Sequence, residues 1–205
     1  MLDRLSLIVP GPVLDSTRIY LRPPQLSDWT NWARLRAESR DFLTPWEPTW
    51  PADALSRSAF RRRMKRYAQD ARDDAGYAFF LFDREAGNLL GGITLSNLRR
   101  GVTQACATGY WVGKPYARCG YMHEALCAMI PWVFGELGMH RLEAACLPQN
   151  QPSQDLLRKC GFTEEGYARE YLCINGAWRD HLLFALLKSD PRPTYPAKPG
   201  QPKQP

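Results

Sequence analysis

The feature that most constrains this chain lies between Gly109 and Gly138: a strand "GYWV", a loop that ends in "YARCG" with a single glycine in that stretch, and a long one-sided helix. Met122, Ala125, Leu126, Met129, Ile130, Val133, Phe134 and Leu137 recur at helical spacing and share one face. Pro131 removes one backbone hydrogen bond inside that helix and predicts a kink; Gly138 predicts its end. The first turn of a helix carries unpaired N–H groups and the positive end of the dipole. "YARCGYMHEAL", with Gly120 where the chain must turn most tightly, is therefore a candidate phosphate cradle. Nucleotide-loop alternatives fail on spacing, since neither G-x-x-x-x-G-K nor a strand-following G-x-G-x-x-G is present. Taken alone, "RCG" before a helix reads equally well as an ordinary loop glycine.

The rest of the chain supplies alternating elements. "STRIYLRPP" reads as a first strand, and "LSDWTNWARLRAESR" as a helix opened by Ser27 or Asp28. "FLTPWEPTWP" is a Pro-broken aromatic loop. Leu55 to Ala71 forms a helix with Phe60, Met64, Tyr67 and Ala71 on one face, and Arg57 to Arg66 crowding the rest with positive charge. "YAFFLF", "LLGGITLSNL" and "QACATGYWV" are three successive strands. "RLEAACL" is a further strand and "PSQDLLRKC" a helix with Gly161 as its cap. "YAREYLCI", an Asn-Gly turn and "WRDHLLFALL" close the chain as a hairpin. The pattern predicts a mixed α/β (α+β) single domain over residues 1–190, with one curved sheet of about seven strands flanked by four helices. Residues 191–205 alternate Pro with Lys, Gly, Gln and Ala, and read as a disordered tail.

A net charge of +6 favours an acidic partner: a phosphorylated cofactor, a ribonucleoprotein surface or an acidic substrate. Six cysteines without a C-x-x-C pair, no convincing signal peptide and no membrane-length apolar run predict a cytoplasmic protein with reduced thiols. No metal is expected, because His123, His140 and His181 lie beside no cysteine pair.

"FLTPWEP", "GYWVGKPYARCGYMHEAL", "HRLEAACLPQNQPSQDLLRKCGFTEEGYAREYL" and "NGAWRDHLLFALL" together resemble the GNAT superfamily of N-acetyltransferases, and within it the RimJ/RimL group. The resemblance covers about Leu14 to Leu187. It implies acetyl-CoA as acyl donor and a protein N-terminus, notably a ribosomal protein's, as acceptor. The superfamily's pyrophosphate pattern, Q/R-x-x-G-x-G/A, falls on Ala117-Arg118-Cys119-Gly120-Tyr121-Met122 and retains only Gly120. Backbone N–H groups make most of the implied contacts, so the altered side chains keep the geometry, and Arg118 adds a cation.

By the same resemblance, the freed backbone of Trp111 and Val112 pairs with the pantetheine arm. Asn150 hydrogen-bonds it, and Ser153 lies near the sulfur. Leu157 replaces a tyrosine that many members use as acid, which leaves Ser153 as the proton donor. As a residue alone, Ser153 serves equally well as a helix N-cap. Glu170 is the expected base, against the plain reading of a solvent-facing strand carboxylate. Glu47, beside Trp46 and Trp50, is the second candidate for the base and a candidate holder of the substrate's ammonium, in a loop that reads equally well as a structural lid. Asp180 and His181 are neighbours on a strand and point to opposite faces, so they do not act as a pair. Cys119 reads as a bystander thiol in catalysis. The Arg57–Arg66 helix reads as a solvated face or as a contact with ribosomal RNA or an acidic protein. Two alternatives stay open: a small amine such as an antibiotic or polyamine as acceptor, or a non-catalytic module binding acyl-CoA or the ribosome.

Overall fold

The computed structural model describes residues 7–192. Its strands are β1 (Leu14–Asp15), β2 (Ile19–Arg22), β3 (Tyr77–Asp83), β4 (Leu89–Arg99), β5 (Ala105–Val112), β6 (Arg141–Cys146), β7 (Thr163–Ile174) and β8 (Ala177–Leu187). All eight join one sheet in the order β1-β2-β3-β4-β5-β6-β8-β7. The helices are α1 (Trp29–Glu38), α2 (Arg40–Leu43), α3 (Arg57–Arg72), α4 (Tyr121–Phe134) and α5 (Gln151–Lys159). The mixed α/β sheet is as expected, with two short additions: β1 has two residues and α2 four. Neither is long enough to show a periodicity. The Pro-rich segment, apart from residues 191 and 192, lies outside the described residues. Among the described residues, no helix is long and apolar enough to cross a membrane.

Side-chain alternation in β3 sorts the interior into two cores. Phe79 and Leu81 face α4 and pack with Leu126, Met129 and Val133, whereas Phe80 and Phe82 join a second cluster with Trp32 of α1 and Phe60 and Met64 of α3. A strand covered on both faces reads as a continuous apolar run, which is what "YAFFLF" is. Ser56 caps α3 by accepting the Ala59 N–H at 3.1 Å. That fixes its start two residues later than apolar spacing alone implies. Helix α4 runs through Pro131 and stops at Phe134, short of Gly138; the Gly135 N–H bonds the Pro131 carbonyl at 2.9 Å. Pro131 falls in the last turn, and Gly138 (φ +70°) serves the reversal beyond the helix.

The sheet's one parallel pairing positions the site. β5 meets β6 only from Ala105 to Ala107, opposite Arg141 to Glu143. Beyond Ala107, β5 continues paired to β4 alone, while Ala144 to Cys146 pair only with β8. The two strands thus diverge and leave a wedge. Gly91 lets β4 follow β5 to its end: a Cβ there would stand 2.3 Å from the Trp111 carbonyl oxygen. At the far edge, Asn175 (φ +45°) and Gly176 (φ +80°) make the expected β7–β8 turn.

Candidate active site

A cavity of about 460 Å³ fills the wedge. Thr108 to Val112 of β5 form one wall; the end of β6 and the start of α5 form the other; the Gly120 turn and the first residues of α4 close one end. Gly120 is the N-cap of α4 in the left-handed conformation (φ +79°), and Arg118 (φ +61°) is also left-handed. The first bond inside α4 runs from the Glu124 N–H to the Gly120 carbonyl at 3.1 Å. The N–H groups of Tyr121, Met122 and His123 precede it and supply the anion-binding end of the helix.

One support of this turn was invisible in the sequence. Arg18, from the β1–β2 connection, donates Nε to Glu124 Oε2 at 2.8 Å and its own N–H to Oε1 at 2.7 Å. Its Nη1 donates to the Cys119 carbonyl at 3.2 Å, and its guanidinium sits 4.7 Å over the Tyr121 ring. Glu124 is fully buried, so this carboxylate fastens a cation against the turn from 106 residues away.

Of the residues expected at the coenzyme, Trp111, Val112, Ala117, Arg118, Gly120, Tyr121, Met122 and Asn150 line the wedge. Cys119 is exposed and is not among the lining residues. Ala117, expected to offer its N–H, spends it on the Lys114 carbonyl at 3.2 Å, because a helical turn precedes the loop. Asn150 caps α5: its Oδ1 accepts the Ser153 N–H at 3.2 Å. Ser153 is therefore released from the capping role, and its hydroxyl meets the Tyr110 hydroxyl at 2.8 Å. Tyr110 went unremarked in the sequence because only the fold brings β5 against α5. Burial pushes its phenol up, against a smaller lowering by the Ser153 hydrogen bond, so it stays protonated at neutral pH. Thr108 lines the wedge as well, and its buried Oγ1 has no partner among the described residues. An orphaned hydroxyl and an amide-rich cradle in one cleft fit a long ligand with an anionic end and polar groups along it.

His181 is 3% exposed and also lines the wedge. Its Nδ1 donates to the Arg179 carbonyl at 2.9 Å, which leaves Nε2 for other partners. Glu170 sits in a bulge of β7 with φ +45°, exposed, its N–H bonded to Asp180 Oδ1 at 2.7 Å; it lines neither this cavity nor the next.

A second cavity, of about 550 Å³, lies beside α1 and α3, and Gly109, Tyr110 and Trp111 border both. Trp46 and Glu47, expected to act together, part here: Trp46 lines the wedge and Glu47 the second cavity. Glu47 accepts from Arg36 at 2.7 and 2.5 Å and from Trp50 Nε1 at 2.8 Å. Its loop is held to the hairpin by the Asn175 N–H on the Glu47 carbonyl, at 2.9 Å. The Arg36 guanidinium lies 4.2 Å from the Trp50 ring centre and 4.8 Å from that of Trp111. Arg63 and Arg66 of α3 also line this cavity, so part of the arginine-rich helix faces a cleft.

The family described as acetyltransferase (GNAT) domain matches residues 18–163. Over 182 residues, 89% of this chain and 94% of the relative, the sequence is 36% identical to the [ribosomal protein uS5]-alanine N-acetyltransferase of Escherichia coli (strain K12). The ribosomal-protein-S5-alanine acetyltransferase of Vibrio fischeri superposes with a TM-score of 0.81 at 28% identity, over 89% of this chain and all of that one. Mycobacterium smegmatis RimJ, solved in complex with CoA-disulfide, gives 0.78 at 31% identity over 86% of each chain. The chain belongs to the GNAT acetyltransferase family. Membership makes it an N-acetyltransferase, and within the family it is similar to the RimJ group.

Proposed function

We propose that this protein transfers the acetyl group of acetyl-CoA to the α-amine of a protein N-terminus in the cytoplasm, with a ribosomal protein as acceptor. The Tyr110–Ser153 hydroxyl pair at the junction of the two cavities carries this reading. The wedge takes the coenzyme: amides of α4 and the Arg118 cation hold the pyrophosphate, and the β5 edge from Trp111 to Val112 pairs with the pantetheine arm. The acceptor enters from the second cavity.

In the transfer, the amine nitrogen bonds to the thioester carbon and the carbon–sulfur bond breaks. His181 Nε2 takes the proton that the amine loses. Ser153, backed by the protonated Tyr110, gives a proton to the departing thiolate. An α-amine with a pKa of ~8 needs only a weak base. No covalent enzyme intermediate is required, and Cys119, outside the lining, takes no part.

Charge separates a peptide from a polycationic small amine. Arg36, Arg63 and Arg66 line the second cavity, and its one lining carboxylate, Glu47, is already bonded twice to Arg36. Such a cavity repels polyamines and aminoglycosides and suits a peptide with acidic residues after its first. The test is turnover of acetyl-CoA with peptides beginning in Ser, Ala and Met beside spermidine and an aminoglycoside. Peptide turnover is expected; turnover of the small amines alone would overturn the reading.

A further inference from the structure

We propose that His123, Cys127 and Cys160 form a binding site for one thiophilic divalent cation of the zinc class, on the flank of the wedge. The ligand atoms of all three lie within 4.8 Å of one another, and His123 Nε2 stands 3.6 Å from Cys127 Sγ. Tetrahedral zinc, with bonds of ~2.3 Å to sulfur and ~2.0 Å to nitrogen, requires ~3.6 Å between a nitrogen and a sulfur ligand and ~3.8 Å between two sulfurs. The His–Cys edge of the tetrahedron is thus already at its bonded length. Cys160 completes the set by at most a small side-chain movement.

The frame is rigid. His123 and Cys127 are four residues apart on α4 and share a face. Cys160 is the residue that caps α5. Packing of α5 on α4 therefore makes the cluster, which is why sequence spacing concealed it. Cys160 is fully buried while His123 and Cys127 are half-buried, so the cluster has a closed side and an approach side. Two thiolates, a neutral imidazole and a divalent cation sum to zero charge, so the occupied site buries no net charge. The His123 ring is hydrogen-bonded by the Lys159 backbone, the kind of outer contact that orients a ligating histidine. Three protein ligands leave the fourth position to water or another donor.

The test uses the full chain, reduced and stripped of metal. Cobalt(II) titrated into it should give thiolate-to-cobalt absorption that saturates at one equivalent, and zinc should displace it. At one equivalent of zinc, the half-buried Cys127 should become resistant to alkylation while the exposed Cys119 and Cys173 react as before. Cys127→Ala and His123→Gln should each weaken binding by more than ~100-fold, beyond what losing an outer contact costs. Cys160 is read from the strength of the thiolate-to-cobalt absorption, which should correspond to two thiolates and not one, since substitution at a buried cap endangers the fold. Absent saturation, or undiminished binding by Cys127→Ala, overturns the proposal. So does zinc binding that leaves Cys127 as reactive as in the metal-free protein.

Discussion

The two cavities on either side of Gly109–Trp111 are built by opposite means. The wedge is mostly main chain: a left-handed Gly120, the first amides of α4 and an unpaired edge of β5. The second cavity is mostly side chain: a guanidinium between two indoles, bonded twice to a carboxylate. A site made of backbone tolerates substitution, so Ala117 and Met122, in place of the residues of the family's phosphate pattern, should leave such a cradle intact. Tolerance of that kind is absent from the second cavity, where each contact belongs to one side chain. Coenzyme binding should therefore respond to backbone strain, and acceptor choice to charge.

The largest expected effects fall where the cavities meet. Ser153→Ala combined with Tyr110→Phe should lower kcat by roughly 10²–10⁴-fold, the range of a positioned acid, and leave acetyl-CoA affinity nearly unchanged. A matching loss of affinity would place the pair in binding and blur the two-cavity division. Next comes His181→Gln, whose defect at neutral pH should shrink as pH rises past the ~8 of the α-amine, because free amine then forms unaided. Glu170→Gln, on the exposed bulge, should keep its rate. If instead Glu170→Gln shows the pH-dependent defect and His181→Gln does not, the carboxylate is the base.

Arg36→Gln should act more gently on turnover but visibly on stability. It leaves the Glu47 carboxylate with only the Trp50 Nε1 hydrogen bond, at a cost of up to ~3 kcal/mol for a largely buried pair. For a chain this size each kcal/mol shifts Tm by roughly 2–4 °C, so calorimetric melting should show a drop of several degrees. The same variant should raise the KM of acidic peptides and lower discrimination against spermidine. The smallest effect belongs to the tail: deleting residues 193–205 should shift Tm by less than ~2 °C, because the segment carries so little apolar surface.

Legibility divides along the same line. The strand–turn–helix around Gly120, the β3 strand and the closing hairpin were readable because each is a local pattern of period, glycine or turn. Asn150 lines the wedge, but its capping oxygen was not legible, since Asn-x-x-Ser and Ser at a helix start give similar signals. Arg18 against Glu124, Tyr110 against Ser153 and Arg36 against Glu47 each join different elements. No spacing encodes such partners. Glu170 read as the first candidate base and Glu47 as the second; Glu47 is bonded twice to Arg36, and Glu170 lies exposed on a bulge.

The most direct measurement of the two-cavity account compares Gly120→Val and Arg36→Gln in parallel, with acetyl-CoA affinity taken by calorimetry and peptide KM by turnover. A β-branched residue at φ +79° adds strain of roughly 1–3 kcal/mol, equivalent to about 5- to 150-fold in affinity. Gly120→Val should therefore lose acetyl-CoA affinity by about that factor while peptide KM at saturating coenzyme holds. Arg36→Gln should change peptide KM and leave acetyl-CoA affinity alone. Folded variants whose two constants move together, or a Gly120→Val protein that binds acetyl-CoA like the wild type, would contradict the account.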